Sequence, residues 1–283
     1  MRTVVALGGH LLAQEELDPS LFEPFRGDEL VLTHGNGPQV GERPEEPLHQ
    51  AVARTQAEIG SELALALGAV CVITHVVVDA ADPAFAEPTK PIGPWLAERP
   101  AGDVIHDASR GWRRVVPSPR PLEIVELEAI RALAESGATV VCCGGGGIPV
   151  ADGRGVAAVI DKDRASALLA ERLGADRLVV LTDVDAVYRD FHTLPAPAPA
   201  KPAPPLLGGS VEPTPLSEHV LARLTPDEAE ALLPDLPAGS MRPKLEACAA
   251  FVRATGNEAL ITSARALEAA LGARAGTWIA TAS

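Results

Sequence analysis

The stretch Cys142 to Asp163, CCGGGGIPVADGRGVAAVIDKD, decides how this 283-residue chain is read. An apolar run breaks there into four glycines, Gly144 to Gly147, crosses a short hairpin-like segment and ends on Asp161-Lys162-Asp163. Consecutive glycines strip the side chains from a loop, so backbone N–H groups can come close to a ligand. Anions are the usual guests of such loops. Lys162 adds a compact charge suited to a phosphate oxygen, and the flanking Asp161 and Asp163 can orient that ammonium or cap the following helix. A tight glycine turn beside a surface charge triplet accounts equally well for this stretch taken alone.

Working outward, three short apolar runs end in glycine. Thr3 to Leu7 stops at Gly8-Gly9-His10, Glu29 to Thr33 runs into His34-Gly35-Asn36-Gly37, and Thr139 to Cys143 enters the glycines above. Each reads as a strand feeding a loop. LLAQEELDPSLFEPF, between the first two, offers only a brief helix. Leu48, Val52, Ile59, Leu63 and Leu67 have helical spacing, with Gly68 where a C-cap belongs. Val70 to Val78 is nearly unbroken in Val and Ile, which suits a strand covered on both faces. Leu122 to Glu135 reads as a helix with Ile124, Leu127, Ile130 and Leu133 on one side.

After Asp163, RASALLAERLGA is a helix whose N-terminal dipole would add to an anion site at the Lys-Asp pair. Arg177 to Thr182 is another buried strand, ending in TDVDAVY. Thr225-Pro226 opens a short helix, and GSMRPK, Gly239 to Lys244, precedes a longer one with Leu245, Cys248 and Val252 inward. Pro243 suits the first turn of that helix, which aims Lys244 at the same spot as Lys162. Glu258 to Thr262 is a last clear strand, Ala264 to Leu271 a helix, and Gly276 to Ile279 a final edge strand. Alternating strands and helices imply an α/β fold with a mostly parallel sheet, in which ligands collect outside the carboxyl ends of the strands. Every glycine loop lies at such an end.

Two segments leave this alternation. Asp79 to Pro121 is dense in proline and carries Lys90, Arg110, Arg113, Arg114 and Arg120. It is either a long surface loop or a cationic lid over an anion site, since loops of this length are usually functional. Thr193 to Pro215 is low-complexity Pro and Ala, an extended surface insertion without chemistry.

Composition narrows the classes. A 47% hydrophobic content is ample for a large core. A net charge of −14 argues against nucleic acid, whose binders carry a basic face, and 3% aromatics leave no platform for stacked bases. Cys71, Cys142, Cys143 and Cys248 lack C-x-x-C spacing and read as buried, reduced thiols of a cytoplasmic protein. No signal peptide and no membrane-length apolar run is present. Nor is there a G-x-x-x-x-G-K-S/T, a G-x-G-x-x-G or an H-E-x-x-H. The seven histidines are scattered, and His10 and His34 stand out for occupying glycine loops.

The strings ALGGH, THGNGPQVG, VVVDAADPAFAEPTKPIG, GWRRVVPSPRP, GGGGIPV, AVIDKDRAS, LTDVDAVY, GSMRPK and GT-x-I fall in order along almost the whole chain. Together they resemble the carbamate kinase branch of the amino acid kinase family. The resemblance implies a three-layer α/β/α sandwich with a small protruding lid at about 80–121, and a homodimer. It implies an acceptor-binding N-terminal lobe, 1–163, and a nucleotide-binding C-terminal lobe, 164–283. The implied reaction is phosphoryl transfer between ATP and carbamate with Mg, giving ADP and carbamoyl phosphate, and no protein residue is implied as a metal ligand.

By motif position, Lys162 and Lys244 would meet the transferring phosphoryl group and the nucleotide phosphates, Asp163 would orient the lysines, and Lys90 would come down from the lid onto the acceptor. Gly8, Gly9 and His10, Gly35, Asn36 and Gly37, with Gly145 and Gly146, would hold acceptor and phosphate. Asp183, Val184, Asp185, Tyr188, Met241 and Pro243 would shape the nucleotide pocket, with a turn-and-cap role open for Asp183 and Asp185. The chain departs from the family pattern at His10, where asparagine is usual, at Arg242, where glycine is usual, in shortened segments after Gly9 and Gly41, and in the 193–215 insertion. These departures leave room for another small carboxylate or phosphonate as acceptor, or for a nucleotide sensor with weak chemistry.

Overall fold

The computed structural model describes residues 1–8, 18–189, 219–236 and 241–282. Along the chain, β1 (Arg2–Leu7) and β2 (Glu29–His34) flank a 3-10 turn at Pro19–Phe25, and α1 (Gly37–Gly41) and α2 (Leu48–Leu67) follow. Next come β3 (Val70–Cys71) and β4 (His75–Val77), then β5 (Lys90–Leu96), β6 (Val104–Asp107) and β7 (Gly111–Val116). β8 (Glu123–Ile124), α3 (Leu127–Glu135) and β9 (Val140–Val141) lead to the glycine turn, the hairpin of β10 (Ile148–Ala151) and β11 (Arg154–Gly155), and α4 (Lys162–Leu173). The remainder supplies β12 (Arg177–Thr182), β13 (Arg223–Leu224), α5 (Pro226–Leu232), α6 (Met241–Thr255), β14 (Glu258–Ser263), α7 (Leu267–Leu271) and β15 (Thr277–Ile279).

Eight of these strands form one sheet in the order β13, β15, β14, β12, β1, β2, β9, β3. Each neighbouring pair is parallel except β14 with β15. Successive strand residues point to opposite faces, and here both faces are covered. Val4 and Ala6 enter one core with Val31, Leu178 and Val180 beneath α3, α4, α5 and α6. Val5 and Leu7 enter the other with Leu32, Val179 and Leu181 beneath α2, α7 and the 3-10 turn. That is why the central strands read as unbroken apolar runs, and why the molecule has three layers, helix, sheet, helix.

The run Val70 to Val78 is not one doubly covered strand. It divides at Thr74: β3 is an edge of the main sheet, and β4 joins a second sheet in the order β11, β10, β4, β8. Val70 and Ile73 are accordingly 40% and 38% exposed. Where the ladder breaks, the buried Gln56 of α2 takes its place, its Oε1 accepting from Thr74 N at 2.6 Å and its Nε2 donating to Thr74 O at 3.3 Å. The neighbouring strand crosses at the same level, because β9 pairs with β3 in one sheet and β10 with β4 in the other. The glycines make that second crossing.

Other expected boundaries shift as well. Ile124 belongs to β8, paired with Val76, and only Leu127 onward is helical. β15 lies inside the sheet between β13 and β14, because Arg223–Leu224 supplies the edge that the sequence does not advertise. The last helix is confined to Leu267–Leu271. Of LLAQEELDPSLFEPF, the described part is the 3-10 turn Pro19–Phe25. The proline-rich excursion is a small antiparallel sheet, β5, β7, β6, and so a subdomain of its own. Residues 193–215 lie outside the described residues. Among the described residues no helix is long and apolar enough to cross a membrane.

Candidate active site

Adjacent parallel strands β12, β1, β2 and β9 open at one end of the sheet, where they deliver Asp183, Gly8, Gly35 and the glycine turn in a row. α4 begins at the same level. Its N-cap Asp161 accepts from Asp163 N at 2.9 Å and Arg164 N at 3.2 Å through Oδ1, satisfying two of the helix's orphan donors. Ser166 donates to Lys162 O at 2.6 Å and lies 2.6 Å from the Thr33 hydroxyl, so the first turn of α4 is tied to β2.

Five charged side chains meet at this helix start. Asp163, 2% exposed, accepts from Lys162 Nζ at 2.5 Å through Oδ1 and from Lys244 Nζ at 3.2 Å through Oδ2. Lys90, the first residue of β5, pairs with the other oxygen of Asp161. Burial acts most strongly, to raise the Asp161 carboxyl, but Lys90, Lys162 and the Arg164 amide together hold it well below the usual carboxylate range. Burial likewise acts to raise Asp163, and Lys162 and Lys244 together bring it down. For Lys162 burial prevails and the ammonium is lowered, with Lys244 adding repulsion. For Lys244 the Asp163 and Asp161 carboxylates overcome burial and raise it.

The glycine turn is closed by its own contacts. Gly146 N donates to Cys143 O and Gly147 N to Gly144 O, both at 3.0 Å, so those two amides are engaged within the turn. Gly145 has φ +65, and a Cβ there would lie 2.0 Å from Asn36 Nδ2. That contact seats Asn36, which is buried and donates to Thr55 Oγ1 at 2.9 Å. The turn therefore packs against the second glycine loop. His34 lies beneath both, fully buried, its Nδ1 donating to Gly35 O at 3.1 Å and its Nε2 without a partner among the described residues. Burial, with a smaller push from Lys162, lowers its pKa to about 4, so His34 is a neutral packing residue.

The expected nucleotide side is only partly free for a ligand. Asp183 accepts from the Thr182 hydroxyl at 3.0 Å and adds to the field on Lys244. Asp185 is tied down by Ser263 Oγ at 2.5 Å and by Arg265 Nε at 2.8 Å and Nη2 at 2.9 Å, a turn-fixing role. Val184 packs against the main core, and Tyr188 bridges to Val220. Met241 is buried and Pro243 falls in the first turn of α6, as its position in the sequence suggests. Arg242 donates to Pro234 O at 3.0 Å. Gly9, His10, Gly239 and Ser240 lie outside the described residues.

Three parts of the site carry no signal in the sequence. Gln56 reads as any polar position of an amphipathic helix, yet it also donates to Gly144 O at 3.2 Å and so fixes the turn. Arg265 follows a strand end with no motif around it. Glu246 collects Arg164 at 3.0 Å and Arg120 at 3.7 Å, linking α6 to α4 and to the base of the lid.

The sequence profile of the amino acid kinase family matches residues 1–195. A carbamate kinase of Halobacterium salinarum is 41% identical over 98% of this chain and 97% of its own length. One from Lentilactobacillus hilgardii is 37% identical over 98% of this chain and 96% of its own. Among solved structures, the carbamate kinase of Giardia lamblia bound to AMP-PNP superposes with a TM-score of 0.80 at 35% identity, covering 99% of this chain and 98% of that one. The same enzyme bound to citric acid gives 0.82 at 34% identity, again over 99% and 98%.

Proposed function

The chain belongs to the amino acid kinase family, in its carbamate kinase branch, and we propose that it transfers a phosphoryl group between ATP and carbamate. Forward, a carbamate oxygen bonds to the γ-phosphorus as the bridging P–O bond to ADP breaks; in reverse, carbamoyl phosphate gives its phosphoryl group to ADP. One observation carries the reading: Asp163 holds Lys162 and Lys244 together in a buried site, with Lys90 alongside on Asp161.

Carbamate is already an anion, so the chemistry needs no general base. It needs two negative species brought in line and the charge between them offset. Lys162 and Lys244 fit the transferring phosphoryl group and the nucleotide phosphates, with Asp163 keeping both ammonium groups aimed. Lys90, reaching in from the lid, fits the acceptor, together with Gly8, Gly35, Asn36 and Gly37. The Giardia relative bound to AMP-PNP supports nucleotide binding, for which Asp183, Met241 and Pro243 fit the pocket. Asp161 and Asp163 are already engaged by lysines, so magnesium would enter with the nucleotide phosphates and its own water, the usual habit of this ion. When bound, it offsets phosphate charge.

Arg242 turns toward Pro234, which leaves the lysine cluster unaltered by that departure from the family pattern. The acceptor half corresponds to residues 1–163 and the nucleotide half to 164–283, two parts of one continuous sheet. Val70 in β3 and Ile73 after it, with Leu122 and Val125 flanking β8, are exposed apolar side chains that a second copy of the chain could cover. Four free thiols, three of them buried, suit a reducing cytoplasm. The deciding experiment couples ATP formation from ADP and carbamoyl phosphate, with Mg, to a reporter enzyme. Absence of ATP with pure protein overturns the reading.

A further inference from the structure

α1 runs along the start of β5 with almost nothing between the two backbones. A Cβ on Gly37 would lie 3.9 Å from Pro91 O, and one on Gly41 would meet Gly93 N and Cα at 2.1 Å. Four helical residues rise about 6 Å and two strand residues about 6.6 Å, so helix and strand stay in step from one contact to the next. Gly93 takes φ +69, where L side chains are strained. Arg113 of β7 donates Nε–H to Gly93 O at 2.9 Å, holding the same point from the lid side. Beneath the contact, Val40, Ile92, Val116 and Val159 share a small hydrophobic core separate from the two main ones. That core unites α1, β5, β7 and the segment leading to Asp161.

Both elements end at the site. α1 starts from Asn36-Gly37, and β5 starts from Lys90 on Asp161. We propose that Gly41 and Gly93 are positioning residues whose backbone contact makes α1 and the root of the lid one rigid body. Its function is to fix the separation between the Gly35-Asn36-Gly37 loop and the Lys90 ammonium, the two sides between which the acceptor sits. The assignment of that space to carbamate rests on the function proposed above; the coupling itself does not. A displacement of about 1 Å at such a site can cost on the order of a hundredfold in rate.

The test is Gly41→Ala, whose new Cβ must push β5 away and pull Lys90 from Asp161. Lys90 is followed by mass spectrometry of its acylation by an amine-reactive ester, which needs no enzymatic activity. Labelling of Lys90 should rise at least fivefold, with Lys162 and Lys244 unchanged. In steady state the KM for carbamoyl phosphate should rise tenfold or more while the KM for ADP stays within twofold. Gly102→Ala strains a glycine at φ +88 in open space near the lid tip and should alter neither reading. Gly93→Ala, with its Cβ 3.1 Å from Gly41, provides a milder second displacement should Gly41→Ala not fold. Unchanged Lys90 labelling in either folded variant, or a parallel rise of both KM values, overturns the coupling. If the unaltered protein makes no ATP, labelling still decides the coupling, and only the functional reading fails.

Discussion

Lys90, Lys162 and Lys244 lie half-buried around the buried Asp161 and Asp163, whereas Arg99, Arg110 and Arg113 lie on the lid against the faces of Trp95 and Trp112. Lys162 and Lys244 are 12% and 14% exposed, Arg110 63%. Two unit charges 4 Å apart interact by about 1 kcal/mol in water and about 4 kcal/mol where the effective dielectric constant is near 20. The same kind of charge therefore counts for more at the site than on the lid. At the site three lysines contact two carboxylates, with Asp183 adding to the field on Lys244. The lid arginines are already accommodated by aromatic faces, Arg110 also by Asp107 and Arg113 also by Gly93 O, and call for no ligand. Placement, more than the number of cations, separates the reactive cluster from the decorative one.

Asp163→Asn should break the buried cluster most severely. It leaves two ammonium groups without their shared counter-charge, and removing one partner of a buried pair typically costs about 3 to 5 kcal/mol. Urea unfolding at neutral pH measures the loss. A change under about 1 kcal/mol would mean that water reaches the cluster and that it behaves like the lid.

Lys162→Ala and Lys244→Ala come next. Each removes a preorganised charge from the transferring phosphoryl group and should slow turnover by roughly a hundredfold or more, or about 2.7 kcal/mol of barrier. The folded proteins should retain their secondary structure by circular dichroism. Near-normal rates in the coupled assay would remove these lysines from the mechanism.

How far this contrast could be read in advance depends on the range of the interactions involved. Strand-to-glycine transitions at Leu7, His34 and Cys143, and the Asp161 cap, are local effects, so the sequence displays them. The division of Val70 to Val78 is not local, because a run of Val and Ile looks the same whether one sheet or two receives it. Its cause, the Gln56 amide on Thr74, comes from another helix. The four glycines also have a packing reason that the sequence does not display, Gly144 lying against His34 and Gln56, Gly145 against Asn36, Gly146 against Ile160 and Gly147 against Val76. Asp185 reads equally as part of the nucleotide pocket or as a turn residue, and the Arg265 that holds its carboxylate comes from 80 positions away.

A smaller effect tests how dry the buried region is. His34 has a folded pKa of about 4, against 6.5 in the unfolded chain. Between those values the unfolded state takes up the proton and the folded state does not, so stability is full above about 6.5 and declines as pH falls toward 4. The complete span is worth at most roughly 3.4 kcal/mol. Asp161 and Asp163, with folded pKa values depressed, add a further loss below about pH 4, where unfolded carboxylates protonate. Urea midpoints at pH 7 and pH 5 should therefore differ, and His34→Gln should flatten that difference. Equal slopes in the two proteins would show that His34 is hydrated.

Arg110→Ala should have the smallest effect of all. Its guanidinium lies 5.4 Å from the Trp95 ring centroid and 3.8 Å from Asp107, both near the surface. Exposed cation–π pairs are worth about 0.5 to 1 kcal/mol, and exposed ion pairs about 0 to 1 kcal/mol. Unfolding should weaken by less than about 1 kcal/mol, and turnover in the coupled assay should stay within about twofold. Arg113, which stacks on the same Trp95 but also holds Gly93 O, is the internal contrast. Arg113→Ala should raise the KM for carbamoyl phosphate by loosening the root of the lid, although it removes a similar aromatic contact. If Arg110→Ala instead cost tenfold in rate, the lid tip would have to reach the reacting groups during turnover, and its arginines would join the buried lysines as part of the site.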